Sequence, residues 1–560
     1  MAPSVRCASP SETSALLRPD QQGPDHGAPL SKPVVDRNEE IADSEATSVF
    51  TDEPTTAQLI KIMASTYLGI VLAALDGTMV ATLTASISAS YNSLTLLAWL
   101  ASSYFIANAV LQPLAGKLTD IYGRRAGLLL SHLFFCAGNL ICGFANGEAM
   151  VILGRVFAGL GSGGLNGIPL FIASDLVPLR RRGIWQGFNN IWFGLGSGLG
   201  GVFGGWMNDS LGWRWAFIVL VPLTAISGAL VGTFVILPTK ELDKAETEEK
   251  WRRIDFPGAF ALVSAIVILL VGLNAGGNTV PWFHPLVLVT LPLSAALFLV
   301  FVYIEANCAV EPIIPVKLLL NRTVMAACLT NWFFTMAQIS LTFYAPIYFQ
   351  VQGMSAFDAG IRLIPTSVGA AAGGITCGII MRAVGKYYVL NLVIQVLFLL
   401  PLGLTSKFDL DTPQWYPFVL FFFTGFAYAG MLTVTVTALI AAVDQKYHAV
   451  VTSGAFAFRG TGSTIGITIC SLVFQNILIK RLWESFGRKD DAAKIIGRLR
   501  DSLCEIKYLP HDWSGDAEDD YMAALSGVFM TIFGLAVLGT ISSLFMKEHT
   551  LHKDLARRRS

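Results

Sequence analysis

The distribution of charged residues constrains this chain more than any other feature. Of its 78 Asp, Glu, Lys and Arg residues, 50 lie in four polar stretches, at positions 1–58, 238–255, 480–520 and 547–560. The rest of the chain carries only about one charge per fifteen residues. A helix that crosses a bilayer needs about 20 mostly apolar residues and tolerates few ions. The pattern therefore predicts a polytopic membrane protein.

Apolar windows predict an all-α fold with fourteen membrane-spanning helices. The predicted helices cover positions 59–83, 94–115, 126–145, 150–173, 184–206, 213–237, 257–276, 285–305, 323–349, 357–381, 386–405, 415–442, 449–479 and 521–546. An even number of spans places both ends of the chain on the same side of the membrane.

Basic residues predict which side that is, because short cytosolic loops collect Lys and Arg. The basic residues on the side of the two tails are Lys117, Arg124, Arg125, Arg180 to Arg182, Lys317, Arg322, Arg382, Lys386 and Arg557 to Arg559. The stretch 480–520 has eight basic residues and falls on the opposite side, but it also has ten acidic residues. A polar loop of that length is a weak signal of orientation, so we expect both tails to be cytosolic.

Two similar loops indicate an internal repeat. Gly116-x-x-x-Asp120-x-x-Gly123-Arg124 follows the second helix, and Gly378-x-x-x-Arg382-x-x-Gly385-Lys386 follows the tenth, 262 positions later. Duplicated bundles are a common plan for transporters. The expected organisation begins with a cytosolic tail at 1–58, a six-helix bundle at 59–237 and a charged cytosolic loop at 238–256. Two inserted helices follow at 257–305. A second six-helix bundle at 323–546 contains the polar loop 480–520, and a second cytosolic tail covers 547–560.

Several classes of function are not supported by the residues. The formal net charge is zero and no long basic block is present, so we expect no nucleic-acid partner. The eight cysteines lack metal-ligand spacing, and we expect neither a disulfide nor a metal site. Phosphate-binding loops and catalytic triads are absent, which argues against ATP-driven pumping and against an enzyme; no cofactor is expected. The polar start lacks the pattern of a signal peptide and is expected to be disordered.

Several motifs resemble those of one transporter family. GKLTDIYGRR at 116–125 is similar to the loop signature of the major facilitator superfamily. The segments LDGTMV, GRVFAGLGSGG, GLGSGLGGVFGG, WRWAF and FRGTGSTIG resemble fourteen-span drug:proton antiporters. That branch has a Gly-Pro pair in helix 5 where this chain has Gly200-Gly201, a difference that resembles fungal vacuolar basic amino acid transporters. The resemblance implies two six-helix bundles, a small cationic substrate and exchange for protons.

Asp76 is the most informative single residue. It lies about seven residues before the predicted end of helix 1, roughly 10 Å inside the membrane at 1.5 Å per residue. An acid at that depth either binds a proton or a cation during transport, or forms a permanent hydrogen bond to a neighbouring helix. Its counterpart 262 positions later is Gln338, which cannot titrate. The two bundles are therefore expected to differ in function.

Arg155 is expected at a similar depth, about five residues inside helix 4. The resembled fold brings helices 1 and 4 to a central cavity, which implies an Asp76–Arg155 pair. Protonation of Asp76, or the arrival of a cation, would weaken that pair and couple substrate to proton. A static structural ion pair is the alternative.

The loop after helix 2 supplies a second group of candidates: Gly116, Asp120, Gly123, Arg124 and Arg125. Asp120 can meet the positive end of helix 3, and the basic pair can meet helix carbonyls. The resemblance implies a cytosolic gate that stabilises the outward-facing state. The alternative is a simple topological anchor.

Small residues and one further cation complete the membrane candidates. One face of helix 5 carries Gly196, Gly200 and Gly204, with Gly205 beside them. These glycines either allow close helix packing or form the antiport hinge that the resemblance suggests. Arg459 in helix 13 is a buried cation for which the sequence identifies no partner. Asn208 begins a glycosylation sequence in a short loop and is expected to be unmodified.

The leading hypothesis is a proton-coupled antiporter that moves basic amino acids from the cytosol into the vacuole. A plasma-membrane exporter of drugs or toxic metabolites is the alternative, and a non-transporting nutrient sensor is a remote one. In the N-terminal tail, Glu12, Leu16 and Leu17 fit an acidic dileucine signal, which implies an adaptor complex as a partner and a vacuolar or lysosome-like address. A chance match in a polar tail is the competing explanation.

Overall fold

The computed structural model describes residues 55–91, 95–177, 179–235, 256–276, 280, 283–307, 318, 320–443, 448–487, 492–501, 506 and 511–549. Within these residues the fold is all-α, with one isolated bridge between Gly276 and Val280 and no strand. The helices are α1 Thr56–Tyr91, α2 Thr95–Tyr122, α3 Arg124–Gly143, α4 Glu148–Leu176, α5 Leu179–Ser210, α6 Trp213–Phe234, α7 Phe256–Ala275, α8 Pro285–Asn307, α9 Arg322–Val351, α10 Ala356–Ile361, α11 Ile364–Val384, α12 Tyr388–Thr405, α13 Tyr416–Ala442, α14 His448–Phe486, α15 Ala492–Asp501 and α16 His511–Leu544.

These helices follow the predicted spans closely. Each of the fourteen predicted segments overlaps a helix of at least 18 residues in the described part of the chain. Eleven of the described segments are long and apolar enough to cross a membrane, and the apolar parts of α2 and α7, Trp99–Leu111 and Pro257–Leu273, are shorter. The all-α membrane fold is therefore confirmed, whereas the number of fourteen spans and the domain limits stay predictions.

Helix ends differ from the predictions in several places. α1 continues to Tyr91, eight residues past its predicted end, because Ala85, Ile87 and Ser88 stay buried and the helix keeps packing. The predicted helix 357–381 is interrupted at Arg362 and Leu363, between α10 and α11. Pro365 lies in the first turn of α11, where proline begins a helix well but cannot continue the preceding one.

The stretch 480–520 also contains more helix than its polar composition suggests. α14 runs on to Phe486, and α15 and the start of α16 occupy much of the remainder. Ile496 and Leu499 of α15 are buried, the ring of Phe486 lies 6.1 Å from that of Trp513, and Tyr521 Oη donates to the carbonyl of Leu499. The described part of this stretch is a small folded cap on the ends of α14 and α16.

Glycines set the spacing between α5 and α1. A Cβ at Gly196 would collide with the carbonyl of Val71, and one at Gly200 would collide with Thr78 and with the carbonyl of Leu75. In the second set of helices, which comprises α9 to α16 and follows a first set of α1 to α6, Gly462 and Gly466 of α14 lie in the same way against Trp332 and Met336 of α9. Both glycines lie 262 positions after Gly200 and Gly204, the offset that relates the two loops.

Hydroxyl groups use the close approach that these glycines allow. Thr78 Oγ1 donates to the carbonyl of Ser197 at 3.0 Å, and Thr82 Oγ1 donates to the carbonyl of Gly201 at 3.3 Å. Both bonds run from α1 to α5, and interhelical bonds of this kind support packing inside a membrane.

α7 and α8 form a pair that lies against the other helices. Ser294 of α8 donates to the carbonyl of Ala265 of α7 at 2.8 Å. Ala261 and Phe301, one from each helix, share an apolar cluster with Ile106 of α2 and Ala457 of α14. The inserted pair therefore covers the side of the bundle where α2 meets α14.

One group of contacts between the two sets of helices lies at the end of the bundle where α1, α5 and α9 finish. Gly205 of α5 packs against the backbone of Ala356 and Phe357 of α10, and Gly201 packs against Gly360. Asp209 Oδ2 accepts a hydrogen bond from the Phe357 amide at 3.2 Å, and Gln350 Nε2 donates to the carbonyl of Thr82 at 3.4 Å. In the predicted orientation this end faces the lumen.

We expect Gly200→Ala to lower the melting temperature of the detergent-solubilised protein by several degrees. The new methyl group would collide with α1, and overpacking of this kind costs about 1–3 kcal/mol. Gly194→Ala on the same helix is the matched control, because a Cβ at Gly194 would meet no atom within 4 Å and alanine favours helix. Equal melting temperatures for the two variants would contradict the close packing of α1 on α5.

Candidate functional site

α1 and α4 bring Asp76 and Arg155 into direct contact. Arg155 Nη1 lies 2.8 Å from Asp76 Oδ2 and 3.0 Å from Oδ1. The side chains of Asp76 and Arg155 are 0% and 1% exposed, so bulk water does not screen the pair. The two residues singled out by the sequence therefore form a buried ion pair.

Asp76 lies further from the end of its helix than the sequence predicted. Because α1 extends to Tyr91, Asp76 lies fifteen residues before the helix end, about 22 Å along the axis rather than 10 Å. Arg155 lies seven residues after the start of α4, about 10 Å along. The pair still forms because α1 overshoots the start of α4, which the apolar window of helix 1 did not reveal.

Tyr104 of α2 holds the guanidinium from a second side. The ring centroid of Tyr104 lies 4.2 Å from Arg155 Cζ, and Arg155 Nε donates to the carbonyl of Leu100 at 3.3 Å. A cation held over an aromatic face in a site without water is stabilised by up to about 2 kcal/mol. Arg155 is thus fixed by a carboxylate, a ring and a carbonyl from two neighbouring helices.

A hydrogen-bond network extends the site beyond the residues predicted from sequence. Tyr104 Oη lies 2.6 Å from Ser162 Oγ and 2.9 Å from the carbonyl of Ala73. Ser162 also accepts hydrogen bonds from Asn108 Nδ2 at 2.9 Å and Asn166 Nδ2 at 3.2 Å. Sequence reasoning missed these residues, although Tyr104 with Asn108 and Ser162 with Asn166 show the four-residue spacing of one helix face.

Gln338 lies apart from this network in the described contacts. It is a buried residue of α9, 5% exposed, and its Oε1 has no hydrogen-bond partner among the described residues. The described contacts do not join it to Asp76 or Arg155, so its functional role stays a prediction.

Arg459 lies in α14 with its side chain partly buried. Its guanidinium stands 5.1 Å from the ring centroid of Phe456, and its Nε is buried without a hydrogen-bond partner in the described structure. The sequence identified no partner for Arg459, and the described residues provide no carboxylate partner for it either.

The glycines predicted on helix 5 contact two different helices. Gly196, Gly200 and Gly204 face α1, the helix that carries Asp76, whereas Gly205 faces α10 of the second set. The geometry supports a packing role at all four positions, and a hinge role stays a prediction.

The loop between α2 and α3 is organised around Arg124. Its Nε pairs with Asp175 Oδ2 at 2.9 Å, and its Nη1 donates to Thr119 Oγ1 at 2.6 Å and to the carbonyl of Gly116 at 3.1 Å. Arg125 donates to the carbonyl of Gly232 near the end of α6, and Gly123 has φ +89°, a backbone conformation that glycine adopts without strain.

Two of the predicted functional groups lie outside the described residues. The side chain of Asp120 is one, and the dileucine segment Glu12, Leu16 and Leu17 is the other. Asp175 is a partner of the loop that sequence reasoning missed, because it is 51 positions from Arg124 and only the packing of α4 brings it close.

Among the described residues no group of His, Cys, Asp and Glu is arranged to hold a metal ion. Asn208 donates to its neighbour Asp209 at 3.1 Å near the end of α5, and its modification stays untested.

Comparison with known proteins places this chain in a family. The chain is 34% identical to multidrug resistance protein fnx1 of Schizosaccharomyces pombe, over 89% of this chain and 94% of that protein. It is 30% identical to the vacuolar membrane amino acid uptake transporter fnx2 of the same yeast, over 90% of this chain and 86% of that protein.

The fold is shared with a bacterial homologue of the human lysosomal transporter Spinster, solved in an inward-facing conformation. The TM-score is 0.59 at 14% identity, over 88% of this chain and 98% of that chain. Residues 66–467 match the family model for the Major Facilitator Superfamily. The chain therefore belongs to the Major Facilitator Superfamily and is a multi-pass membrane transporter rather than an enzyme.

Proposed function

We propose that this protein is a proton-coupled antiporter that carries small cationic solutes, above all basic amino acids, from the cytosol into the vacuole. The observation that carries the proposal is the buried pair of Asp76 and Arg155. Ionisable groups inside a membrane are costly and mark ion or proton pathways. A permanently buried pair could also serve structure alone, so the test must separate charge from packing.

The site couples a proton to a movement of helices in the following way. While Asp76 is ionised, its carboxylate ties α1 to Arg155 of α4. Protonation removes the negative charge and leaves the guanidinium with the ring of Tyr104 and the carbonyl of Leu100. Because the tie between α1 and α4 then weakens, α1 can shift relative to α4, and the protonated and ionised forms favour different states.

The contacts at the predicted lumenal end of the bundle fit one state of this cycle. The described contacts between α5 and α10 join the two helix sets at the end that is predicted to face the lumen. In that state a solute would enter from the cytosol. Arg124 meanwhile pairs with Asp175 inside the first set, and we propose that the loop with Asp120 and Gly123 closes the cytosolic side in the alternate state.

The substrate class rests on the relatives. A vacuolar amino acid uptake transporter at 30% identity supports a vacuolar amino acid carrier. A multidrug resistance protein at 34% identity favours the second candidate, an exporter of drugs or toxic metabolites at the plasma membrane. Uptake of labelled lysine, arginine and histidine into acidified vesicles, compared with cationic dyes, separates the two candidates. Accumulation of dyes alone would leave the exporter as the function.

We expect Asp76→Asn to abolish proton-driven exchange while leaving membrane insertion intact. The carboxamide keeps the size and much of the hydrogen bonding of the carboxylate but cannot titrate. Transport into vesicles across a range of lumenal pH is the measurement. Glu484→Gln is the control, because it removes an exposed carboxylate from a surface pair with Lys480. Ordinary pH-dependent transport by the Asp76→Asn protein would rule out the coupling role.

Substitutions at Tyr104 test how Arg155 is held when Asp76 is protonated. We expect Tyr104→Leu to reduce transport about tenfold, since it removes a ring contact of up to about 2 kcal/mol and tenfold corresponds to about 1.4 kcal/mol. Tyr104→Phe keeps the ring and should retain most of the activity. The measurement is the transport rate against pH for equal amounts of each protein. Equal losses of transport in the Leu and Phe variants would mean that the hydroxyl network of Tyr104, and not its ring, is needed.

The address of the protein depends on the tail outside the described residues. We expect Leu16→Ala with Leu17→Ala to send a fluorescently tagged chain to the plasma membrane, because a dileucine signal binds an apolar pocket of its receptor. Val34→Ala with Val35→Ala, another apolar doublet of the same tail, is the control. If the Leu variant still marks the vacuolar rim, the dileucine is not the address.

A further inference from the structure

Arg459 differs from Arg155 in having no counter-charge in the described part of the chain. Both are arginines within long apolar helices, and charges there almost always pair with other groups. Arg155 has Asp76, whereas the guanidinium of Arg459 has only the ring of Phe456 at 5.1 Å within the described structure. Its Nε is buried without an acceptor among the described residues, and the side chain is partly exposed. An anionic group from outside the chain would complete this site.

The contacts of α14 define which way Arg459 points. Successive residues of a helix lie about 100° apart around its axis. Phe458, beside Arg459, faces α9, where its ring contacts that of Trp332. Thr468, nine residues after Arg459, lies on the opposite side of α14 and faces α2, because its hydroxyl lies 3.3 Å from Ser102 Oγ.

Ala457 points away from Arg459, because two residues along a helix correspond to about 200° around its axis. Ala457 packs in the cluster formed with α7 and α8, on the side of the bundle that this pair covers. Arg459 is therefore directed away from the side that α7 and α8 cover.

A second polar side chain lies close to Arg459 on this side of α14. Ser463, one turn further along the helix, is 6% exposed and donates to the carbonyl of Arg459 at 3.0 Å. A cation directed away from the outer helix pair is a feature expected of a solute path.

Arg459 also lies on the side from which the solute would enter. Thr468 is level with Ser102, two residues from Leu100, whose carbonyl binds Arg155. Arg459 precedes Thr468 by nine residues, about 13 Å toward the start of α14. It therefore lies on the predicted cytosolic side of the Asp76–Arg155 pair.

We propose that Arg459 binds the carboxylate of the transported amino acid. A guanidinium presents a planar fork that matches a carboxylate, and such charge-assisted bonds are strong where water is scarce. The inference rests on the proposed transport of basic amino acids. It adds the side chain that would distinguish basic amino acids from cationic drugs that lack a carboxylate. The pair of Asp76 and Arg155 stays free to handle the proton.

The test compares lysine with lysinamide, which lacks the carboxylate, and uses the full chain in acidified vesicles. The wild type should take up lysine with a KM at least about tenfold lower than that for lysinamide, because an unpaired charge in the site penalises the amide. Arg459→Gln should raise the KM for lysine at least about tenfold and leave that for lysinamide nearly unchanged. Arg459→Lys, which keeps the charge, should be intermediate, and Arg481→Gln at the exposed end of α14 is the matched control.

Melting temperatures in detergent provide a second measurement that does not depend on transport. Lysine should stabilise the wild-type protein more than lysinamide does, and the Arg459→Gln protein should not distinguish them. Equal stabilisation of the wild type by lysine and lysinamide would overturn the role of Arg459. An equal loss of transport of both compounds in the Arg459→Gln protein would do the same. If lysine binds through Arg459 but is not transported, the proposed function fails and the binding site stands.

Discussion

A backbone that crosses a bilayer must satisfy its hydrogen bonds within its own segment, and every other feature of this fold follows from that constraint. Helices are the result throughout the described membrane part. Because lipid is as apolar as leucine, the helices gain little from hiding apolar side chains and must associate through close packing and polar contacts. The glycines of α5 and the threonines of α1 meet this requirement together, since Gly200 and Gly204 leave the space in which Thr78 and Thr82 reach carbonyls of α5.

The functional site depends on that packing. Thr78 holds α1 against α5, and Asp76, two residues earlier, reaches Arg155 on α4. Removing one partner from a buried ion pair costs about 3–5 kcal/mol, whereas an exposed pair such as Lys480 and Glu484 contributes about 0–1 kcal/mol. One proton on Asp76 therefore changes the energy of a helix contact by an amount that can shift a conformational equilibrium. This is the physical basis of the transport cycle proposed for the protein.

Two arginines in the membrane region carry different implications. Arg155 is surrounded by a carboxylate, a ring and a carbonyl, so its charge is compensated within the chain. Arg459 lies on the side of α14 turned away from α7 and α8, with a ring as its described neighbour. A transporter that exchanges a proton for a solute needs both a group that titrates and a group that recognises the solute. In our proposal the Asp76–Arg155 pair and Arg459 divide these tasks.

The sequence by itself determined the membrane class, the approximate helix positions and the family, and it singled out Asp76 and Arg155, because burial in lipid selects composition over windows of about 20 residues and makes rare charges conspicuous. It did not reveal Tyr104 or Ser162, since uncharged polar residues are common in membrane helices and signal little alone. The end of α1, the interruption before Pro365 and the pairing of Arg124 with Asp175 were decided only by tertiary structure. Helix ends and side-chain partners depend on which helices lie side by side, and contacts between residues distant in sequence set that arrangement.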